Sequence, residues 1–286
     1  EEIKRDRLGL LLIILIIPIL LAGFYYSWLA NGLILFIGAA ALFYITLLGR
    51  SLSTSNARKK IYSFVFLTGS SIVFWMLYFV GPMGVTQFLK YNVNICIGSY
   101  YIPPQWLMNL NSIFVIIGSP IVITLFDRLR KKHIIISISK QFTCSLLFIA
   151  LSFLTLTVGI VNCGADGLTT MVWIVVHYLL QAVGELLIAP VGYAMIGSLA
   201  PEKLQGLMMG IWMMSSGIAA TLSNYFSNLM TQSESLNPLI SNEHYMSAFT
   251  QLGLYAIVGA LILWFCSKTI ENSIQKTSVE AIEGIT

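Results

Sequence analysis

The sequence predicts an all-α, polytopic membrane protein, on three observations. Hydrophobic residues make up 57% of the 286 positions against 10% charged. The mean hydropathy is +0.83. The charges gather in short clusters between long uncharged runs. A bilayer-spanning helix needs about 20 mostly apolar residues, and runs of that length recur along the chain. Such a composition excludes a soluble globular enzyme domain, and it makes the net charge of +4 an orientation signal instead of a nucleic-acid footprint.

Eight spans are predicted, over residues 8–29, 33–49, 61–89, 104–126, 134–161, 168–199, 204–230 and 246–267. The first two come from one uncharged run, divided at Asn31-Gly32, a turn signal. The third is long enough to project beyond the hydrocarbon and carries Gly81-Pro82, a kink signal. Lys and Arg set the orientation. With the amino end inside, the inner face collects Lys4, Arg5, Arg7, Arg50, Arg58, Lys59, Lys60, Arg128, Arg130, Lys131, Lys132, Lys203, Lys268 and Lys276, while only Lys90 lies outside. Lys140 falls just inside the fifth span, near its inner start. Both termini are therefore expected in the cytoplasm.

The spans fall into a pair and a six. Residues 1–49 form an accessory hairpin, with Tyr25, Tyr26 and Trp28 at the outer interface where aromatic rings belong. Residues 50–60 are a basic cytoplasmic linker, 61–268 a six-helix bundle, and 269–286 a cytoplasmic tail with no persuasive pattern. The cysteines, Cys96, Cys144, Cys163 and Cys266, have no metal-ligand spacing. Cys96 and Cys163 are both expected outside, but spacing alone fixes no disulfide. Lys4 to Leu21 has the outline of a signal peptide. The chain nevertheless begins without Met, its first being Met76, so it is expected to be a piece of something longer.

The stretch from His177 to Ser216 organises the bundle. Glu185 lies deep in an apolar run there, and a carboxylate at the centre of a bilayer helix costs on the order of 2.5 to 3.5 kcal/mol, which makes it a functional-site candidate. Gln181 and His177 precede it at intervals of four, so a polar stripe runs along one helical face. Interhelical hydrogen bonding alone is the plainer account of such a stripe, and His177 taken singly is expected to be packed or at a pore edge.

Further unusual residues surround this stretch. The third span holds Phe74-Trp75, the fourth reads PPQW followed by Leu110-Asn111 and Ser119-Pro120, and the next loop opens with Asp127-Arg128. Gly184-Glu185-Leu186, Pro190-Val191-Gly192, and the run from Ala200-Pro201 through Gly206 and Met208-Met209-Gly210 to Trp212 follow in order. Together these motifs resemble the carboxy-terminal part of a proton-dependent oligopeptide transporter, within the major facilitator superfamily.

The resemblance implies a carboxy-terminal six-helix bundle preceded by the extra hairpin of bacterial members, with the amino-terminal bundle absent from this chain. The family's ExxER proton-coupling pattern lies in that other bundle, and no span here contains it. The function implied is proton-coupled symport of di- and tripeptides by alternating access, driven by the proton gradient without a cofactor, in the bacterial inner membrane. The expected partners are peptides, protons, the lipid bilayer and the missing bundle, with no nucleic acid.

By the same resemblance, Glu185 meets the substrate's amino terminus and Asn111 helps hold it. Trp212 and Ser216, one helical turn apart on one face, supply an apolar wall and a hydrogen bond. Trp75 and Tyr78 are weaker substrate-binding candidates. Each has a packing alternative, a buried amide for Asn111 and plain bundle packing for the aromatics. Pro120, Pro190, Gly81 and Pro82 are hinge or gate candidates, because a proline leaves a carbonyl in the preceding turn unbonded. Asp127 and Arg128 match the superfamily's loop motif. Phe79 and Val80 stand where the family often has an acid and Gln, which puts an outer-gate salt bridge in doubt.

A charge argument is independent of the family. A peptide is a zwitterion, and this chain offers a midspan acid but no midspan base, so the substrate carboxylate must find its cations elsewhere. Two other functions fit the residues: a carrier for another zwitterionic or cationic solute, and a non-transporting scaffold subunit. No HExxH, GxSxG or paired-carboxylate arrangement lies within the spans, so no enzyme is expected.

Overall fold

The computed structural model describes residues 14–283 except 19, 20, 24, 53, 135 and 231–235. The predicted first span, residues 8–29, falls largely outside the described residues. Seven helices are long and apolar enough to cross a membrane among those described. They are α1 (Ser27–Ser51), α2 (Ser55–Val80), α4 and α5 together (Pro104–Met108 and Leu110–Lys131), α6 (Ile138–Val161), α7 (Met171–Leu199), α8 (Gln205–Met230) and α9 (Pro238–Glu283). A short helix α3 (Thr86–Tyr91) follows α2.

Several boundaries differ from expectation, among them the linker expected over 50–60, whose residues from Ser55 onward are already helical as the start of α2. The turn expected at Asn31-Gly32 is absent, and both residues lie inside α1, whose N-terminal break falls at Tyr26. In a bilayer the backbone has no water to bond with, so a helix persists through residues that end it in solution. Helix α9 continues well past the expected span end at 267, to Glu283.

At Gly81-Pro82 the structure has the expected irregularity. α2 gives way to a π-helical turn, Gly81–Val85, before α3 begins. Pro82 has no N–H to donate, so a wider turn there costs little. Pro120 and Pro190, by contrast, sit within continuous helices. α5 ends where His133 adopts a left-handed conformation at φ 58°. The Ile134 N–H then bonds back to the Leu129 carbonyl at 2.9 Å, closing the last turn.

The tightest packing joins α9 to α6 and α6 to α7, with α2 against α8 and α5 against α7. Phe64, Phe74, Phe88, Phe142, Phe153 and Phe249 are fully buried between these helices. α5 is nearly bare: of its residues only Asn111 is buried. α1 packs on α8 and α2, with Ile218 seated on Gly38 and Ile61 against Gly49.

Both ends are tied by polar contacts. At the end away from the basic clusters, β1 (Val93–Asn94) pairs in parallel with β4 (Thr169–Thr170), and β2 (Cys96–Ile97) pairs antiparallel with β3 (Tyr100–Tyr101). Beneath them the buried Asn92 amide donates to Ser241 Oγ at 2.7 Å and Asn242 Oδ1 at 2.9 Å, and Asn242 donates to the Gly167 carbonyl at 2.7 Å. At the basic end Glu271 of α9 accepts from Ser137 and Ser139 at the start of α6, with Lys140 Nζ 3.7 Å away.

Candidate functional site

The stripe His177, Gln181, Glu185 runs along α7 with each side chain engaging a different helix. His177 is fully buried, and its Nδ1–H donates to the Ser152 carbonyl of α6 at 2.9 Å. Gln181 donates to the Tyr78 carbonyl of α2 at 3.1 Å. Glu185 turns to α5, where it accepts from Asn111 Nδ2 at 2.9 Å. The first two bonds are the interhelical ties that a polar residue in a bilayer helix commonly makes.

Glu185 belongs to a different arrangement. The Asn111 amide nitrogen donates both to its Oε2 and to the Tyr78 hydroxyl, each at 2.9 Å, so α2, α5 and α7 converge on one nitrogen. Asn111 is only 7% exposed. Its Oδ1 is buried with no protein partner. A carboxylate and a free carbonyl oxygen, both acceptors, thus share a confined polar site that contains no cation among the described residues. Such a site suits an ammonium donor.

Trp75 lies beside this cluster, its ring 5.3 Å from Tyr78 in an edge-on contact and 6.1 Å from Phe79 in a stacked one. This places an aromatic wall on α2 next to the polar triad. The Gly118 position of α5 approaches the Leu186 side chain of α7, so close helix contact holds Asn111 opposite Glu185.

Trp212 and Ser216 are not joined to the triad by any hydrogen bond. Trp212 is 5% exposed. Its indole fills the notch left by Gly192, where a Cβ would overlap the ring, and lies 6.2 Å from the Phe142 ring. Gly192 lies on the same face of α7 as Glu185, two turns further along. Trp212 is thus a knob between α7, α8 and α6. Ser216 spends its hydroxyl on the Met213 carbonyl at 2.8 Å.

Asp127 and Arg128 are exposed at the basic end of α5. Pro190 is two residues from the Gly192–Trp212 contact, and Pro120 lies on the bare flank of α5. The Asn92 cluster and the Glu271 latch were not expected. A polar pair more than a hundred residues apart leaves no periodic signal, and Glu271 lies in a segment that reads as tail.

The chain can be set beside known proteins. The family model described as the POT family matches residues 34–252. The dipeptide and tripeptide permease A of Proteus mirabilis is 29% identical over 220 residues, covering 77% of this chain and 44% of the permease. A crystal structure of a peptide transporter POT in complex with sulfate superposes with a TM-score of 0.77 at 23% identity, over 96% of this chain and 55% of that one. A POT family transporter in complex with 5-aminolevulinic acid gives 0.73 at 19% identity, over 94% and 55%. The two structures establish the shared fold, and the chain spans about half the length of the proteins it matches.

Proposed function

The chain belongs to the POT family, and on that premise we propose that it supplies the amino-end half of the substrate site in a proton-coupled symporter of di- and tripeptides. The observation that carries this reading is the Asn111 amide shared between Glu185 and Tyr78, with Asn111 Oδ1 left without a protein partner. A substrate ammonium has three N–H donors. Two of them find the Glu185 carboxylate and Asn111 Oδ1, while the Trp75 face adds a cation–π wall. Charge neutralisation then occurs where an unpaired carboxylate is costly.

The remaining parts follow from charge and fold. No cation among the described residues lies near the triad, and Lys140 is engaged at the basic end beside Glu271. The substrate carboxylate is therefore met by groups of the amino-terminal bundle. Alternating access rocks the two bundles about the site, with Pro120, Pro190 and the Gly81-Pro82 turn as the points of bending. The inner membrane of a bacterium is the proposed location, with the basic end in the cytoplasm. Residues 1–49 act as an accessory hairpin, 50–60 as a basic cytoplasmic linker whose second half is the start of α2, 61–268 as the transport bundle and 269–286 as a cytoplasmic extension.

Trp212 and Ser216 take a secondary role in this reading. Trp212 forms the floor beneath the triad through its seat on Gly192, and Ser216 reaches substrate only by giving up its bond to Met213.

The relatives support the peptide assignment, the permease by its name. The test is binding of dialanine and of its N-acetyl derivative to the full-length protein. Selective binding of the free amine is expected. Equal affinity for the two would refute an ammonium site.

A further inference from the structure

A groove runs along the seam between α2 and α9, remote from the triad. At the basic end it opens as a cavity of about 350 Å3 lined by Lys59, Tyr62 and Thr269. It continues past Phe66 into a second cavity of about 280 Å3, lined by Gly69, Val73 and Gly259. Polar groups are confined to the mouth. The one hydroxyl in the deeper part, on Ser70, donates to the Phe66 carbonyl at 2.9 Å, so that part presents an apolar wall.

The glycines leave this groove open. In bilayer helices small residues usually admit a neighbouring helix, but a Cβ at Gly69 would meet nothing within 4 Å. At Gly259 it would only reach ordinary contact, 3.6 Å from Leu146. No described residue fills this space.

Its length and charge identify the occupant. From Tyr62 to Val73 the helix rises about 16 Å, roughly half of a 30 Å hydrocarbon core. The groove is thus one leaflet deep, with its polar mouth at the level of the headgroups. Lys59 lines the mouth without an ion pair among the described residues, and Arg58, Lys60 and Lys268 flank it in sequence. The nearby carboxylate, Glu271, is turned to Ser137, Ser139 and Lys140 on α6.

We propose that this groove binds one anionic glycerophospholipid of the leaflet at the basic end. Its phosphate sits at Lys59 and Tyr62, and one acyl chain lies over Gly69 toward Gly259. The inference does not depend on the transported substrate. Because α2 also carries Trp75 and Tyr78, a lipid seated here steadies the helix that forms one wall of the site.

Native mass spectrometry of the delipidated full-length protein, titrated with phosphatidylglycerol or phosphatidylethanolamine of identical chains, tests it. One retained phosphatidylglycerol per protein is expected, with weaker retention of phosphatidylethanolamine. Gly69→Leu sets its Cβ in open space, extends the rest of the side chain into the groove and abolishes retention, while thermal unfolding in lipid-free detergent stays unchanged. Lys59→Gln lowers phosphatidylglycerol affinity about fivefold, as expected for one basic residue at an anionic headgroup, and provides the test should Gly69→Leu not fold. Equal retention of the two lipids, or full retention in a folded Gly69→Leu protein or in Lys59→Gln, overturns the proposal.

Discussion

The side-chain amide of Asn111 on α5 donates to the carboxylate of Glu185 on α7 across 2.9 Å, and in the same geometry to the Tyr78 hydroxyl on α2. Asn111 is also the one buried residue of an otherwise bare helix. α5 therefore contributes little to the core and is held to it at a point that carries chemistry.

Replacing Asn111 by Ala removes the donor to Glu185 and the free acceptor together. A hydrogen bond to a charged group contributes about 1.5 to 3 kcal/mol, so dipeptide affinity is expected to fall roughly 10- to 100-fold. Isothermal titration of the purified full-length protein measures it. Unchanged affinity would remove Asn111 from the site.

Tyr78→Phe keeps the ring and deletes the hydroxyl that shares the Asn111 amide. One neutral hydrogen bond is lost, and affinity is expected to fall about two- to tenfold. The melting temperature should hardly move, because the ring contacts to Phe74 and Trp75 remain.

Gly192→Ala drives a methyl group into the Trp212 indole. Overpacking of this kind costs about 1 to 3 kcal/mol, so the thermal unfolding midpoint should drop. Adding Trp212→Phe should recover part of the loss. A neutral Gly192→Ala would mean that the indole moves aside freely and is not a fixed floor.

Asn92→Ala leaves Asn242 Oδ1 and Ser241 Oγ without the buried donor they share. Stranding such groups costs about 1 to 3 kcal/mol. The expected result is lower thermal stability and faster hydrogen exchange at Thr169, whose N–H bonds to the Asn92 carbonyl at 2.8 Å, with substrate affinity little altered.

Much of this architecture was legible in the sequence because a bilayer imposes a simple rule. Backbone groups must bond internally, so long apolar runs become helices, and α4, α6, α7 and α8 begin close to expectation, while α2 starts earlier, at Ser55 instead of 61, and α9 at Pro238 instead of 246. Glu185 stood out because it breaks an apolar run, and Asn111 because it follows Leu110 in a recognisable motif. Other features were illegible for equally physical reasons. Asn31-Gly32 reads as a turn only where water competes for the backbone. The burial of Trp212 depends on a glycine in another helix. Glu271 meets Ser137 across more than a hundred residues, with neither motif nor periodicity to announce it.

Central to the proposed function is that Glu185 receives the substrate ammonium in a proton-driven cycle. Uptake of a labelled dipeptide by the full-length protein in liposomes, under an imposed inward proton gradient, tests it most directly when the parent and Glu185→Gln are compared. Gradient-driven accumulation by the parent, lost in a folded Glu185→Gln protein, is predicted. Equal accumulation by the two, or none by a correctly folded parent, would contradict the account.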